Sequence, residues 1–141
     1  MQLTKYTDLS LRVLMHLALQ RDAISRIKDI AESYNVSRNH LVKVVHNLST
    51  LGYIHSTQGR NGGIRLAVSP DDIVVGDIVR AVEPSLCLID CESQQCPISS
   101  ACLLKEALDE AMSTFLKTLD GYTVSDLVRN KPQLLKLIRI A

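Results

Sequence analysis

Ser37-Arg-Asn-His-Leu-Val-Lys-Val-Val-His-Asn-Leu-Ser-Thr-Leu-Gly52 is the stretch that decides the fold. Leu41, Val44, Val45, Leu48 and Leu51 recur at helical spacing and form one apolar stripe. On the opposite side Asn39, Lys43, His46 and Thr50 follow at steps of four, three and four. Ser37 is placed to cap this helix, and Gly52, which tolerates left-handed dihedrals, ends it near Leu51. Upstream, Arg26–Tyr34 predicts a helix with Ile27, Ile30 and Ala31 facing inward, joined through the short turn Asn35-Val36. The first helix is expected over Asp8–Leu19, with Leu9, Val13, Leu14 and Leu17 buried and Thr7 or Asp8 as N-cap.

Downstream, the strand candidates Tyr53–Thr57 and Ile64–Val68 flank Gln58-Gly-Arg-Asn-Gly-Gly63, a glycine-rich hairpin tip. Two helices on a tight turn, then a hairpin, give the order of a winged helix-turn-helix: mainly α, with a small β-hairpin wing. In that design the second helix of the pair enters the DNA major groove, while the wing reaches the flanking backbone or minor groove. Asn39 can pair bidentately with adenine, Lys43 can meet guanine or phosphate, and Arg38 can meet phosphate near the helix start. His40 and His46 suit solvent or nearby phosphate better than a base edge. Arg60 stands at the wing tip, where a cation meets the negative minor groove, and Arg65 supports it from the second strand. The bland alternative is an ordinary solvated helix face beside an ordinary hairpin.

Beyond the loop Ser69-Pro-Asp-Asp72, a short helix is expected over Val75–Val82, stopped by Pro84. A long helix, Ser100–Leu119, carries Leu104, Ala107, Leu108, Ala111, Phe115, Leu116 and Leu119. Twenty residues of helix span ~30 Å. A small domain does not cover an apolar face of that length, so a partner helix and a homodimer are expected. Gly121 ends it, and a short helix over Val124–Arg129 closes the ordered part. The expected division is a DNA-binding domain over 1–83, a cysteine-rich loop over 84–102, and a dimerisation helix with C-terminal segment over 100–141.

Charge supports that layout. The chain of 141 residues has a net charge of +1, yet residues 1–70 hold nine Lys/Arg against four Asp/Glu, and residues 71–141 seven against eleven. A basic N-terminal half suits a polyanionic partner. The polar start Met1-Gln-Leu-Thr-Lys-Tyr-Thr-Asp8 lacks the apolar run of a signal peptide, and no stretch approaches a membrane span. A cytoplasmic protein with no membrane partner is expected, where thiols stay reduced.

All four cysteines, Cys87, Cys91, Cys96 and Cys102, lie within sixteen residues. In a reducing compartment such a run is first a set of metal ligands or redox groups. Structural zinc favours knuckles such as C-x2-C, and none occurs. Iron–sulfur clusters accept more varied spacings, because their ligands meet several irons. Cys102 is expected in the first turn of the long helix, where the positive helix end favours a thiolate. An iron–sulfur cluster is the favoured chemistry, with zinc and redox-active thiols as the alternatives. No nucleophile–base pair is discernible, so an enzyme is the least favoured class. An electron-transfer protein is opposed by the basic half and the wing.

Several motifs combine into a familiar pattern: Met1-Gln-Leu-Thr4 with Thr7-Asp8, Val36-Ser-Arg-Asn-His-Leu-Val-Lys43, and Gly59-Arg-Asn-Gly-Gly-Ile-Arg-Leu66. Cys91, Cys96 and Cys102 followed by Leu-Leu-Lys-Glu-Ala-Leu108, and then Gly121-Tyr-Thr-Val-Ser-Asp-Leu127, continue it. Over nearly its whole length the chain resembles the Rrf-type winged-helix family, and within it the nitric-oxide-sensing iron–sulfur repressors. The resemblance implies a homodimer on double-stranded operator DNA, released when nitric oxide attacks a two-iron or four-iron cluster. It implies that Cys91, Cys96 and Cys102 hold the cluster and that Asp8 reaches it from the other subunit. Taken alone, Asp8 is a first-turn carboxylate favoured by the helix dipole. Cys87 lies outside the three-cysteine pattern; a fourth ligand, a secondary redox group or a buried small residue are its readings, the last preferred. Lys105 stands where the assembly regulators of the same family carry a histidine ligand. The nearest alternative is the same fold sensing iron supply, cluster status or oxidants.

Overall fold

A computed structural model describes residues 1–138. Its first helix, α1 (Lys5–Gln20), is the centre of the head. It packs against α3 (Arg38–Thr50), α4 (Val75–Val82), α6 (Val124–Leu127) and the second wing strand, β2 (Gly63–Leu66). Leu9, Val13, Leu14 and Leu17 are buried from α1, Ile30 from α2 (Ile27–Tyr34), and Leu41, Val44 and Leu48 from α3. Each fully buried Leu or Ile contributes about 1.5–3 kcal/mol relative to an exposed one. The apolar stripes therefore supply the main force holding the three helices together.

α1 begins a turn earlier than its sequence pattern implies. Thr4, not Thr7 or Asp8, is the N-cap, and its hydroxyl accepts from the Thr7 N–H at 3.3 Å. The reason is tertiary. Glu83, just beyond α4, accepts hydrogen bonds from the Thr4 N–H at 3.1 Å, the Thr4 hydroxyl at 3.1 Å and the Thr7 hydroxyl. Thr7 is fully buried in that clasp, so it serves as a packed helical residue.

The turn into α3 is made by Asn35, in the left-handed region at φ 51°, a conformation its short polar side chain tolerates. Ser37 occupies the N-cap position of α3 but makes no side-chain cap bond. Leu51 leaves the apolar stripe: α3 ends at Thr50, Gly52 turns away at φ 85°, and Leu51 is 42% exposed.

The wing pairs β1 (Ile54–Thr57) with β2 antiparallel, in the register Ile54↔Leu66, His55↔Arg65, Ser56↔Ile64 and Thr57↔Gly63. Ser25 adds a bridge on the other side of β2, exchanging two backbone hydrogen bonds of 2.9 and 2.8 Å with Ile64. The wing is thereby anchored to the loop between α1 and α2.

α4 has the bounds its pattern predicts. Past it the chain runs through the cysteine segment to α5 (Leu103–Leu119), preceded by a single 3-10 turn at Ser99–Ala101. α5 packs on α4, and none of its residues is buried; Leu103 and Leu104 are among the most exposed large side chains. After α5 the chain returns to the head. Val74 and Thr123 form a bridge, Val124 is fully buried, and Thr123 caps α6 with a capping box closed by Asp126. A further helix, α7 (Lys131–Leu137), lies where the sequence pattern ended; Pro132 in its first turn is the start signal that marks it.

Candidate DNA interface and cysteine centre

The exposed side of α3 carries Arg38, Asn39, His40, Lys43 and His46, while Leu41, Val44, Val45 and Leu48 hold its other side in the core. Thr50 caps this row by donating to the His46 carbonyl at 3.0 Å. On the wing, Arg60 lies in the exposed tip and Arg65 on β2 opposite His55, all solvent-facing. The tip is closed by Gly62, which donates to the Gly59 carbonyl at 3.0 Å, and a side chain at Gly62 would collide with the Thr57 backbone. None of Arg38, Lys43, Arg60 and Arg65 forms a salt bridge among the described residues.

A first helix beginning at Asp8, as its apolar pattern implies, leaves Lys5 and Tyr6 outside it. They in fact form its first turn and face α3. The Tyr6 hydroxyl donates to the Lys43 carbonyl at 3.3 Å, and Lys5, Tyr6, Leu9, His40 and Lys43 line a cleft of about 190 Å³. Asp8, on the same turn, pairs with Arg12 at 2.9 Å. His16 lies in the DNA-reading half of the sequence, yet it is 2% exposed between α1 and α2, its ring meeting the Tyr34 ring edge-on at 5.9 Å. Burial pushes its pKa below the ordinary histidine value, against the pull of Asp29.

The cysteines differ among themselves. Cys91 is buried, and Cys96 and Cys102 are half-buried. The Cys96 N–H donates to the Cys91 carbonyl at 3.2 Å, and Cys102 is the N-cap residue of α5, one position before the first turn expected for it. Burial pushes the Cys91 thiol up, and Cys96 and Cys102 are near enough to push it further. Lys105 opposes them, and it is itself tied to Asp109 at 2.7 Å. Among the described residues no three His, Cys, Asp or Glu side chains converge as they would around a single ion. Cys87 is exposed and not a buried packing residue. Its segment has left the core by that point, and it lines a cleft of about 470 Å³ with Met1, Leu3, Met112 and Phe115.

The head, wing and following long helix match a sequence family. The profile of Rrf2, described as an iron-dependent transcriptional regulator, matches residues 3–130. The chain belongs to the Rrf2 family. It is a helix-turn-helix transcription regulator and not an enzyme. The HTH-type transcriptional regulator NsrR of Bacillus subtilis (strain 168) is 46% identical over 144 residues, covering 99% of each chain. NsrR of Shouchella clausii is 47% identical over 143 residues, covering 99% of this chain and 96% of the relative. Among solved structures, T. potens IscR superposes with a TM-score of 0.76 at 23% identity, covering 93% of this chain and 88% of that one. CymR, the global cysteine regulator of B. subtilis, gives 0.74 at 25% identity, covering 90% and 95%. Among the described residues of this Rrf2 protein, no helix is long and apolar enough to cross a membrane.

Proposed function

We propose that this Rrf2 protein is a nitric-oxide-sensitive repressor that binds operator DNA as a homodimer through α3 and the wing. In this reading it leaves DNA when its iron–sulfur cluster is nitrosylated. The observation that carries it is that the loop joining the DNA-binding head to α5 brings Cys96 and Cys102 near the buried Cys91, with the Cys96 N–H bonded to the Cys91 carbonyl. Identity of 45–47% to NsrR proteins over nearly the full chain supports the same reading. The chemistry of the donor set suits a cluster: three soft sulfur donors on one loop, one of them the N-cap residue of α5.

Cys91, Cys96 and Cys102 would hold the cluster, with Asp8 of the partner subunit as the fourth ligand. When bound, the cluster supplies iron that reacts with a small diatomic effector. The chain's own residues supply the coupling. Asp8 shares the first turn of α1 with Lys5 and Tyr6, and Tyr6 hydrogen-bonds the backbone of α3 at Lys43. Engaging or freeing Asp8 therefore acts on a turn in direct contact with the recognition helix. A carboxylate bound to the partner's loop would fix the separation of the two recognition helices against half-sites about one helical turn, ~34 Å, apart or a multiple of it. A coupling of ~3 kcal/mol, over a hundredfold in affinity, suffices for a switch.

The test compares operator affinity of anaerobically purified protein, with its iron, sulfide and visible absorption measured, before and after stoichiometric nitric oxide. Loss of affinity with bleaching of the cluster bands is expected. Equal affinities would overturn the proposal. A response to iron depletion or oxidant, and none to nitric oxide, would move the chain to another sensing task on the same fold.

A further inference from the structure

We infer that the cleft between the first turn of α1 and the recognition helix is a subsite for a sugar–phosphate unit of the operator backbone, with Lys5 as its outer cation. The inference rests on the DNA-binding reading above and extends it to Lys5, to which that reading gives no contact with DNA. Lys5, Tyr6, Leu9, His40 and Lys43 enclose the cleft, which has about 190 Å³ of space. Lys5, His40 and Lys43 are all exposed, and none of them forms a salt bridge among the described residues. The carboxylate nearest in sequence, Asp8, is held by Arg12 at 2.9 Å, and no acidic side chain lines the cleft. Its floor is apolar, formed by the buried Leu9 and the half-buried Tyr6 ring.

A sugar–phosphate unit has the matching division, an apolar deoxyribose edge beside an anion. Lysine stems lie along apolar surface while their heads stay in water, so Lys5 and Lys43 can clamp a phosphate above a sugar seated on Tyr6. Such contacts set register on the duplex and carry no sequence information. The Tyr6 hydroxyl bond to the Lys43 carbonyl, 3.3 Å, fixes the two walls relative to each other. Lys5 is thereby a positioning residue, on the same turn as Asp8, and the phosphate grip loosens if that turn moves.

The experiment uses the full-length, cluster-loaded protein and two probes. One is a duplex obtained from a random library by repeated rounds of binding; the other is a length-matched scrambled duplex. Affinities are measured across a potassium chloride series for wild type, Lys5→Gln, Lys5→Arg and Asn39→Ala. Each phosphate contact contributes about 0.9 to the slope of log affinity on log salt, so Lys5→Gln, losing one contact per subunit, should flatten the slope by about 1.8. It should weaken both duplexes by the same factor, and Lys5→Arg should restore the slope. Asn39→Ala should weaken only the selected duplex, with the slope unchanged. An unchanged slope for Lys5→Gln, in a wild type that binds, would overturn the subsite and leave the DNA-binding reading standing. A wild type that binds neither duplex would overturn both.

Discussion

Arg80 and Asp120 join the head to the end of the long helix. Arg80, on α4, donates from Nη1 to Oδ1 at 2.5 Å and from Nη2 to Oδ2 at 2.8 Å of Asp120, the C-cap residue of α5. This fork-to-fork geometry is specific as well as attractive. It is reinforced by the backbone bond from Val75 N–H to the Tyr122 carbonyl, 2.9 Å. Together these contacts set the direction in which α5 leaves the head, although no α5 residue is fully buried.

Gly76 exists for that pair. A Cβ there would overlap the Asp120 carboxylate and crowd the Arg80 guanidinium at 2.9 Å. Gly76→Ala should therefore lower the thermal midpoint of the native chain. In an Asp120→Ala background only the contact with the Arg80 guanidinium remains, the far end of a side chain freed from its partner, and the same change should stabilise by up to ~1 kcal/mol through helix propensity. A double-mutant cycle by thermal unfolding reads the change of sign.

Glu83 should show a pH signature. Burial by itself would raise its pKa, but the hydrogen bonds from Thr7 and Thr4 outweigh that and hold it below the ordinary 4.5. A depressed carboxyl stabilises the fold above the unfolded value, and that contribution is lost as pH falls through the folded one. Glu83→Gln should thus be less stable than wild type at neutral pH. The gap between their thermal midpoints should close progressively below about pH 4.5.

His16 should tilt stability near neutrality in the same direction. Burial lowers its pKa from 6.5, with Asp29 partly opposing. The unfolded chain then takes up the proton before the folded one, so stability present above 6.5 is lost as pH falls below it. The groups around the ring are Asp29 from α2, Tyr34 at the α2 end, and Arg12, whose guanidinium lies 5.9 Å from the Tyr34 ring centre. His16→Phe keeps the edge contact with Tyr34 and can extend into the adjoining cleft of about 110 Å³. Its denaturation midpoint should vary less between pH 7 and pH 5 than that of wild type.

The wing depends on Gly63. A side chain there would strike Ile24 and the Ser25 carbonyl at 2.6 Å, within the bridge that ties β2 to the head. Overpacking against backbone costs about 1–3 kcal/mol. Gly63→Ala should lose roughly that in urea unfolding. Amide exchange at Ser25 and Ile64 should quicken, while α5 amides keep their rates.

Much of this molecule was legible because its signals are local. The apolar stripe of Leu41, Val44, Val45 and Leu48, the glycine-rich wing tip and the bounds of α4 follow from period and turn chemistry, which neighbours along the chain suffice to specify. The crowding of thiols between Cys87 and Cys102 is likewise a property of spacing. Tertiary partners decided the rest. Thr7 and Asp8 look like caps until Glu83, 79 residues beyond Thr4, captures Thr4 and Thr7 and starts α1 a turn earlier. That shift turns Lys5 and Tyr6 toward Lys43. His16 sits in the basic half but is taken into the core by Tyr34, whereas Cys87 is left exposed at a cleft it shares with Met1, Leu3, Met112 and Phe115. Sequence set which faces are apolar and where the chain turns. Which polar groups lose their water, and hence which shift their pKa or form a cleft, depends on segments distant in the chain meeting at one place.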